Sequence, residues 1–266
     1  MPDIVTLTTD FGAESPYVAQ MKGVLLSIDV SVVLVDVTHT IAPQNVRQAA
    51  LVLADVCERF PAGTIHVAVV DPGVGTPRRL VYCRIGEQVL LGPDNGLFGR
   101  ITQRTSPTTI IALEDPRYWL PTVSATFHGR DILAPVAARL CQGLDPRQLG
   151  PPVERLIELD WPEPQITEGK LTGEIIAVDS FGNAITNIGD EHLARWSDRR
   201  AIKVACGRSA SEVPLVRTYG DRQRGTPVAL VGSGGLLEIA IVDGSASREL
   251  GLKVGDGVEV GGRLVG

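Results

Sequence analysis

A change of rhythm partway along the chain constrains its fold most. In the first half, short β-branched runs alternate with longer amphipathic stretches. Val32-Val33-Leu34-Val35, Ile65–Val70 and Thr109–Leu113 read as strands, while Tyr17–Ser27, Gln44–Glu58 and Asp131–Cys141 carry apolar residues at helical spacing. Asn45–Ala54 is a good helix former, and Phe60-Pro61-Ala62-Gly63 stops it before the next strand. Such alternation predicts an N-terminal α/β domain on a parallel sheet. Between Pro151-Pro152 and Trp161-Pro162-Glu163-Pro164 the prolines crowd and periodicity is lost, so an ordered linker is expected. Beyond Gly169, short strands at Leu171–Val178, Pro227–Val231, Leu237–Val242 and Gly257–Val260 are separated by Gly-rich turns. They predict a smaller, mainly β, barrel-like domain. The expected division is residues 1–160, a linker over 161–169, and 170–266.

Composition narrows the class of function. The 266 residues suit two domains, and 44% hydrophobic content is ample for their cores. A net charge of −6 argues against a broad electrostatic footprint for nucleic acid or anionic lipid. Cys57, Cys83, Cys141 and Cys206 are scattered, with neither metal-type pairing nor disulfide-scaffold density, so reduced thiols in a cytoplasmic protein are expected. Met1-Pro2-Asp3-Ile4 has no basic n-region and no long apolar run follows, which supports neither secretion nor membrane spanning.

Chemistry concentrates in two segments. In Asp71-Pro72-Gly73-Val74-Gly75-Thr76-Pro77-Arg78, the aspartate falls at the C-terminal edge of the strand-like run Thr64–Val70, where open α/β sheets bind ligands. Phe127-His128-Gly129-Arg130-Asp131 is the other. A carboxylate, a guanidinium and an imidazole brought together could activate water. Each has a plainer alternative: Asp71 as a turn cap, His128 as a hydrogen-bonded structural histidine, Arg78 as a surface cation. Asp131 reads as the N-cap or first-turn acid of the following helix, His39 and His66 as structural, and Asp94-Asn95-Gly96 as a turn. Other local motifs mislead. Asp10-Phe11-Gly12 spells a kinase tripeptide with no catalytic or Gly-rich loop before it. Asp71–Gly75 resembles a dinucleotide-binding glycine loop, but Leu80-Val81-Tyr82-Cys83, another strand-like run, stands where a helix should follow. Gly232-Ser233-Gly234-Gly235 lacks the ending of a phosphate-binding P-loop and reads instead as a loop whose amides are free to approach an anion.

Taken in order, Thr9-Asp10-Phe11-Gly12, Val37-Thr38-His39, the Asp71 segment, Pro93-Asp94-Asn95-Gly96, the His128 segment, Asp179-Ser180-Phe181-Gly182-Asn183 and Gly232–Ala240 cover nearly the whole chain. Together they resemble the adenosine-forming S-adenosyl-L-methionine (SAM) hydrolases, or SAM hydroxide adenosyltransferases, which are related to the fluorinase and chlorinase acting on the same substrate. The resemblance implies attack of water or hydroxide on ribose C5′, releasing adenosine and methionine, with no cofactor and no metal. It implies a catalytic set of Asp71, Arg78 and His128, with the choice of Asp71 or His128 as proton acceptor left open.

Binding roles follow from the same resemblance. Asp10 would grip the ribose diol, since a carboxylate offers two acceptor oxygens to two hydroxyl donors. Asn183 suits the adenine edge, Phe181 an adenine face, Asp179 the methionine ammonium and Ser233 its carboxylate, with Phe127 a further wall. A homotrimer is implied, the β domain of one subunit closing its neighbour's pocket, with no nucleic-acid or membrane partner. Two rivals are weighed. A halogenase would place no carboxylate beside its halide, which Asp71 disfavours; a non-enzymatic SAM or adenosine binder would have no use for the Asp-Arg-His set.

Overall fold

The computed structural model describes residues 3–167, 170–195, 203–206 and 211–261. The chain divides into two compact units, Met1–Leu159 and Asp160–Gly266.

Six strands form the sheet of the first unit: β1 (Ile4–Thr9), β2 (Val33–Thr38), β3 (Ile65–Val69), β4 (Leu80–Ile85), β5 (Gln88–Pro93) and β6 (Pro107–Ala112), in the order β2-β1-β3-β5-β4-β6. β1 runs parallel to β2 and β3, and β3 parallel to β5. The expected parallel sheet needs correction, because β4 is antiparallel to both its neighbours. The cause is local. β4 and β5 are joined by Gly86-Glu87 alone, with Gly86 at φ +55°, and a two-residue connection can only make an antiparallel hairpin.

Helices α1 (Tyr17–Ile28), α2 (Val46–Val56), α3 (Gly99–Thr102) and α4 (Ala134–Cys141) cover both faces. Successive β3 residues alternate between them. Val67 and Val69 pack in one cluster with Met21 and Leu25 of α1 and Val136 and Ala137 of α4, while Ala68 and Val70 pack in another with Ala49 and Leu53 of α2. Sandwiching leaves the C-terminal edges of β1, β2 and β3 as the place where polar groups can gather.

The second unit carries β7 (Gln165–Thr167), β8 (Lys170–Val178), β9 (Ala184–Gly189), α5 (Asp190–Leu193), β10 (Lys203–Cys206), β11 (Ser211–Pro214), β12 (Pro227–Val231), β13 (Leu236–Ile241), α6 (Ala246–Glu249) and β14 (Gly257–Gly261). Its sheet runs β11-β10-β14-β8-β9-β13-β12, with β7 on β8, and every ladder is antiparallel. The sheet is not a closed barrel: its two edges meet at one isolated bridge, Leu215 to Ala229. Pro214 and Pro227 stand on these edge strands, and neither has an N–H to extend a ladder. Leu171, Ile175, Leu237, Ile239, Val258 and Val260 fill the core.

Cys57, Cys83 and Cys141 are free thiols, and burial pushes the pKa of each up to about 12, which keeps them protonated. The Cys206 side chain lies outside the described set. Among the described residues no helix is long and apolar enough to cross a membrane.

Candidate active site

Asp71 lies two residues beyond β3, where the chain turns sharply. Val74 N donates to the Asp71 carbonyl at 3.2 Å, and Thr76 N and Oγ1 donate to that of Gly73 at 3.1 and 2.7 Å. Gly75 allows this turn to close against the 120s segment: its φ is +79°, and a Cβ there would stand 2.7 Å from the Ala125 carbonyl oxygen. The turn brings Arg78 back onto Asp71. Nε donates to Oδ1 at 3.1 Å and to Oδ2 at 2.9 Å, and Nη2 donates to Oδ2 at 2.5 Å. Nη2 also lies 2.8 Å from His128 Nδ1. One guanidinium therefore joins the carboxylate to the imidazole, both ion-paired side chains being largely buried at 7% for Asp71 and 12% for Arg78.

This contact fixes the state of His128. A guanidinium only donates, so Nδ1 must be the acceptor and the proton of the neutral ring sits on Nε2. Burial, and then the positive charge of Arg78, hold the His128 pKa below its ordinary value; Asp71, Asp131 and a backbone hydrogen bond to Ser124 oppose them. His128 opens a π-helical turn, Gly129–Leu133, that leads into α4. Asp131 is in the first turn of that helix and does not cap α4. It is fully buried, accepts Ser124 N at 2.8 Å and Arg130 Nε at 2.6 Å, and so pins the segment before His128.

The Asp10 segment meets the His128 segment through aromatic rings. Phe11, Tyr17 and Phe127 are mutually edge-to-face with centroids 5.2–5.7 Å apart, and the Arg130 guanidinium lies 4.9 Å over Phe127. Asp10 Oδ2 accepts Gln44 N at 2.8 Å. Asp94 stays structural: its Oδ2 accepts two bonds from Arg79 and its Oδ1 accepts Ile157 N at 2.7 Å. His66 is structural too, buried between Thr6 and Gln88.

The remaining candidates share a cavity of about 650 Å³ within the second unit, lined by Asp179, Phe181, Asn183, Tyr219, Ser233 and Glu238 among others. Asp179 closes the turn after β8, accepting Phe181 N at 2.9 Å, Asn183 N at 2.8 Å and Asn183 Nδ2 at 2.9 Å. The same Nδ2 lies 3.4 Å from Tyr219 Oη, which donates to Glu238 at 3.2 Å. Asn183 thus already directs its donor within the protein. Gly182 permits the tight turn, since a Cβ there would collide with Ser245. Phe181 is 76% exposed, an apolar ring with one face free. In the loop from β12 to β13 the Gly232 and Gly235 amides serve the hairpin itself, bonding the Leu236 and Gly232 carbonyls, so not all four amides are open to an anion as expected.

Sequence reasoning missed Tyr17, Gln44, Tyr219 and Glu238. Only Glu238 had a signal: it is the one acid in Leu236–Ile241, where alternation sends Leu237 and Ile239 to the core and Glu238 to the opposite face. Among the described residues, no group of three or more His, Cys, Asp or Glu side chains is placed to hold a metal ion.

The first unit thus carries a guanidinium-bridged acid and imidazole at a strand edge, and the second a cavity lined by an aromatic ring and an amide side chain. The chain belongs to the SAM hydroxide adenosyltransferase family: residues 5–150 match the model of its N-terminal domain and residues 173–259 that of its C-terminal domain. It is 43% identical over 261 residues to an (R)-S-adenosyl-L-methionine hydrolase of Thermus thermophilus, covering 94% of this chain and 96% of that one. A fluorinase of Actinopolyspora mzabensis is 28% identical over 97% of this chain and 96% of its own. In structure it is similar to a conserved protein of Thermotoga maritima, with a TM-score of 0.90, 35% identity, and coverage of 97% of this chain and 99% of that one.

Proposed function

We propose that this protein hydrolyses S-adenosyl-L-methionine to adenosine and L-methionine by attack of water on ribose C5′. The observation that carries the reading is the Arg78 bridge between Asp71 and His128 at the edge of β3, in a chain closer in identity to a SAM hydrolase than to a fluorinase. The sulfonium is already a good leaving group and departs as neutral methionine thioether without protonation. The protein's task is to hold a nucleophile in line with the C–S bond and take its proton. As the new C–O bond forms and the C–S bond breaks, that proton passes to the protein and then to solvent.

The hydrogen bonding favours Asp71 as acceptor. His128 Nδ1 is occupied by Arg78, and the proton on Nε2 leaves no free lone pair on the ring. Asp71 keeps unused lone pairs beside Arg78, whose charge stabilises the developing hydroxide. The carboxylate also offsets the repulsion that an unpaired guanidinium would exert on a sulfonium. This chemistry requires no cofactor.

Asp10 is read as the ribose acceptor, Phe181 and Asn183 as the adenine contacts, Asp179 and Ser233 as the contacts of the methionine end, and Phe127 as a wall. On this reading catalysis belongs to residues 1–160 and adenine and methionine recognition to 170–266, joined by 161–169. We further propose a cytoplasmic homotrimer in which subunits share the substrate pocket, with an incompletely closed, barrel-like β unit. The functional test is to incubate the purified protein with SAM and separate the products. Adenosine and methionine are expected from the wild type and not from Asp71→Asn; a 5′-halo-adenosine as sole product in halide buffer would overturn the reading.

A further inference from the structure

The loop between β2 and α2 carries bonds to three of the four residues around the proposed ribose carboxylate. Gly12 N donates to the His39 carbonyl at 2.8 Å, His39 Nδ1 lies 3.0 Å from Thr9 Oγ1, and Gln44 N donates to Asp10 Oδ2 at 2.8 Å. Thr9 Oγ1 also accepts Phe11 N at 3.3 Å. On its far side His39 Nε2 meets Asp36 Oδ1 at 3.0 Å, and Asp36 is held by Lys22 Nζ at 2.6 Å. The ring thus lies between Thr9 at the end of β1 and Asp36 of β2, while the His39 carbonyl holds the chain on the other side of Asp10 through the Gly12 amide. At the other end of the loop Gln44 has φ +64°, a conformation costly for a side chain with a Cβ, and this is what aims its N–H at the Asp10 carboxylate.

We infer that His39 is a positioning residue for substrate binding: its ring, bonded to Thr9, locks the Asp10 segment to the loop whose Gln44 amide orients the Asp10 carboxylate towards the ribose diol. The inference rests on the reading of Asp10 as the diol acceptor. A histidine with a merely structural role would lower stability and turnover together. One that aims Asp10 acts on ribose affinity, and only while Asp10 is present.

The test is a double-mutant cycle on adenosine affinity, measured by calorimetry, with SAM turnover and thermal unfolding alongside. His39→Leu is expected to weaken adenosine by about tenfold, the loss of one or two hydrogen bonds, and to raise the KM for SAM similarly while kcat stays within about threefold. His39→Asn, which keeps a polar atom near Nδ1, should recover most of that loss. Thr9→Val should weaken adenosine in the same way and Thr9→Ser should not, so the test survives if His39→Leu fails to fold. In an Asp10→Ala background the effects of His39→Leu and Thr9→Val should shrink to within about twofold. Full additivity there, or equal losses in kcat and KM with no recovery by His39→Asn, would overturn the positioning role. Asp10→Ala with unchanged adenosine affinity would instead overturn the diol reading beneath it.

Discussion

Replacing Arg78 by lysine keeps the charge and removes the geometry. The guanidinium makes three contacts to Asp71, from 2.5 to 3.1 Å, and a fourth to His128 at 2.8 Å, two of them from the same Nη2. A lysine ammonium is a point donor on a flexible stem, so it can meet the carboxylate or approach the imidazole but cannot hold both in one plane. At least one charge-assisted hydrogen bond is lost, worth about 1.5–3 kcal/mol, which corresponds to roughly 10- to 150-fold in rate if it is felt in the transition state. Because the pair is shielded from solvent, screening does not erase this difference. Steady-state release of adenosine from SAM should show kcat reduced within that range and KM changed by less than about threefold. An Arg78→Lys variant with wild-type kcat would refute the bridging role.

Phe181→Ala should weaken adenosine by about 5- to 150-fold, the usual worth of one base stacked on an aromatic ring, yet leave the melting temperature almost unchanged because the ring is 76% exposed. Calorimetry and thermal unfolding of the same samples check both halves. Acid stability should report His66, whose pKa burial pushes down to about 4 from an ordinary 6.5. The folded protein binds that proton less readily than the unfolded chain. The stability is therefore complete above pH 6.5 and is lost as pH falls from there through about 4, a loss approaching about 3 kcal/mol for a fully buried ring. Urea titrations across that window should show a smaller loss for His66→Gln than for the wild type.

The sequence carried the layering of the first unit because β3 is apolar on both faces, and Val67, Ala68, Val69 and Val70 do split between two packed layers. It did not carry the direction of β4, which is set by the two-residue Gly86-Glu87 link and not by any hydrophobic period. Asp71, Arg78 and His128 were legible as residue types just beyond apolar runs, and the structure brings them within hydrogen-bonding distance. The role of Gln44 was invisible, since it acts through a backbone amide in a rare conformation that its side chain does not announce. Tyr219 sits in the charged, aperiodic stretch Arg217–Arg224, where only its reach to Asn183 and Glu238 distinguishes it. Strand spacing announces an antiparallel sheet, whereas closure depends on how the edge strands meet, here at one isolated bridge between Leu215 and Ala229.

The most direct measurement of the central claim is the fate of solvent oxygen. With SAM turned over in H₂¹⁸O, attack of water on C5′ places the label in the 5′-hydroxyl of adenosine and leaves the methionine carboxylate and thioether unlabelled. Mass spectrometry of the two separated products should therefore find one heavy oxygen in adenosine, at the enrichment of the solvent. Adenosine formed without label, or turnover that yields no adenosine, would contradict the account.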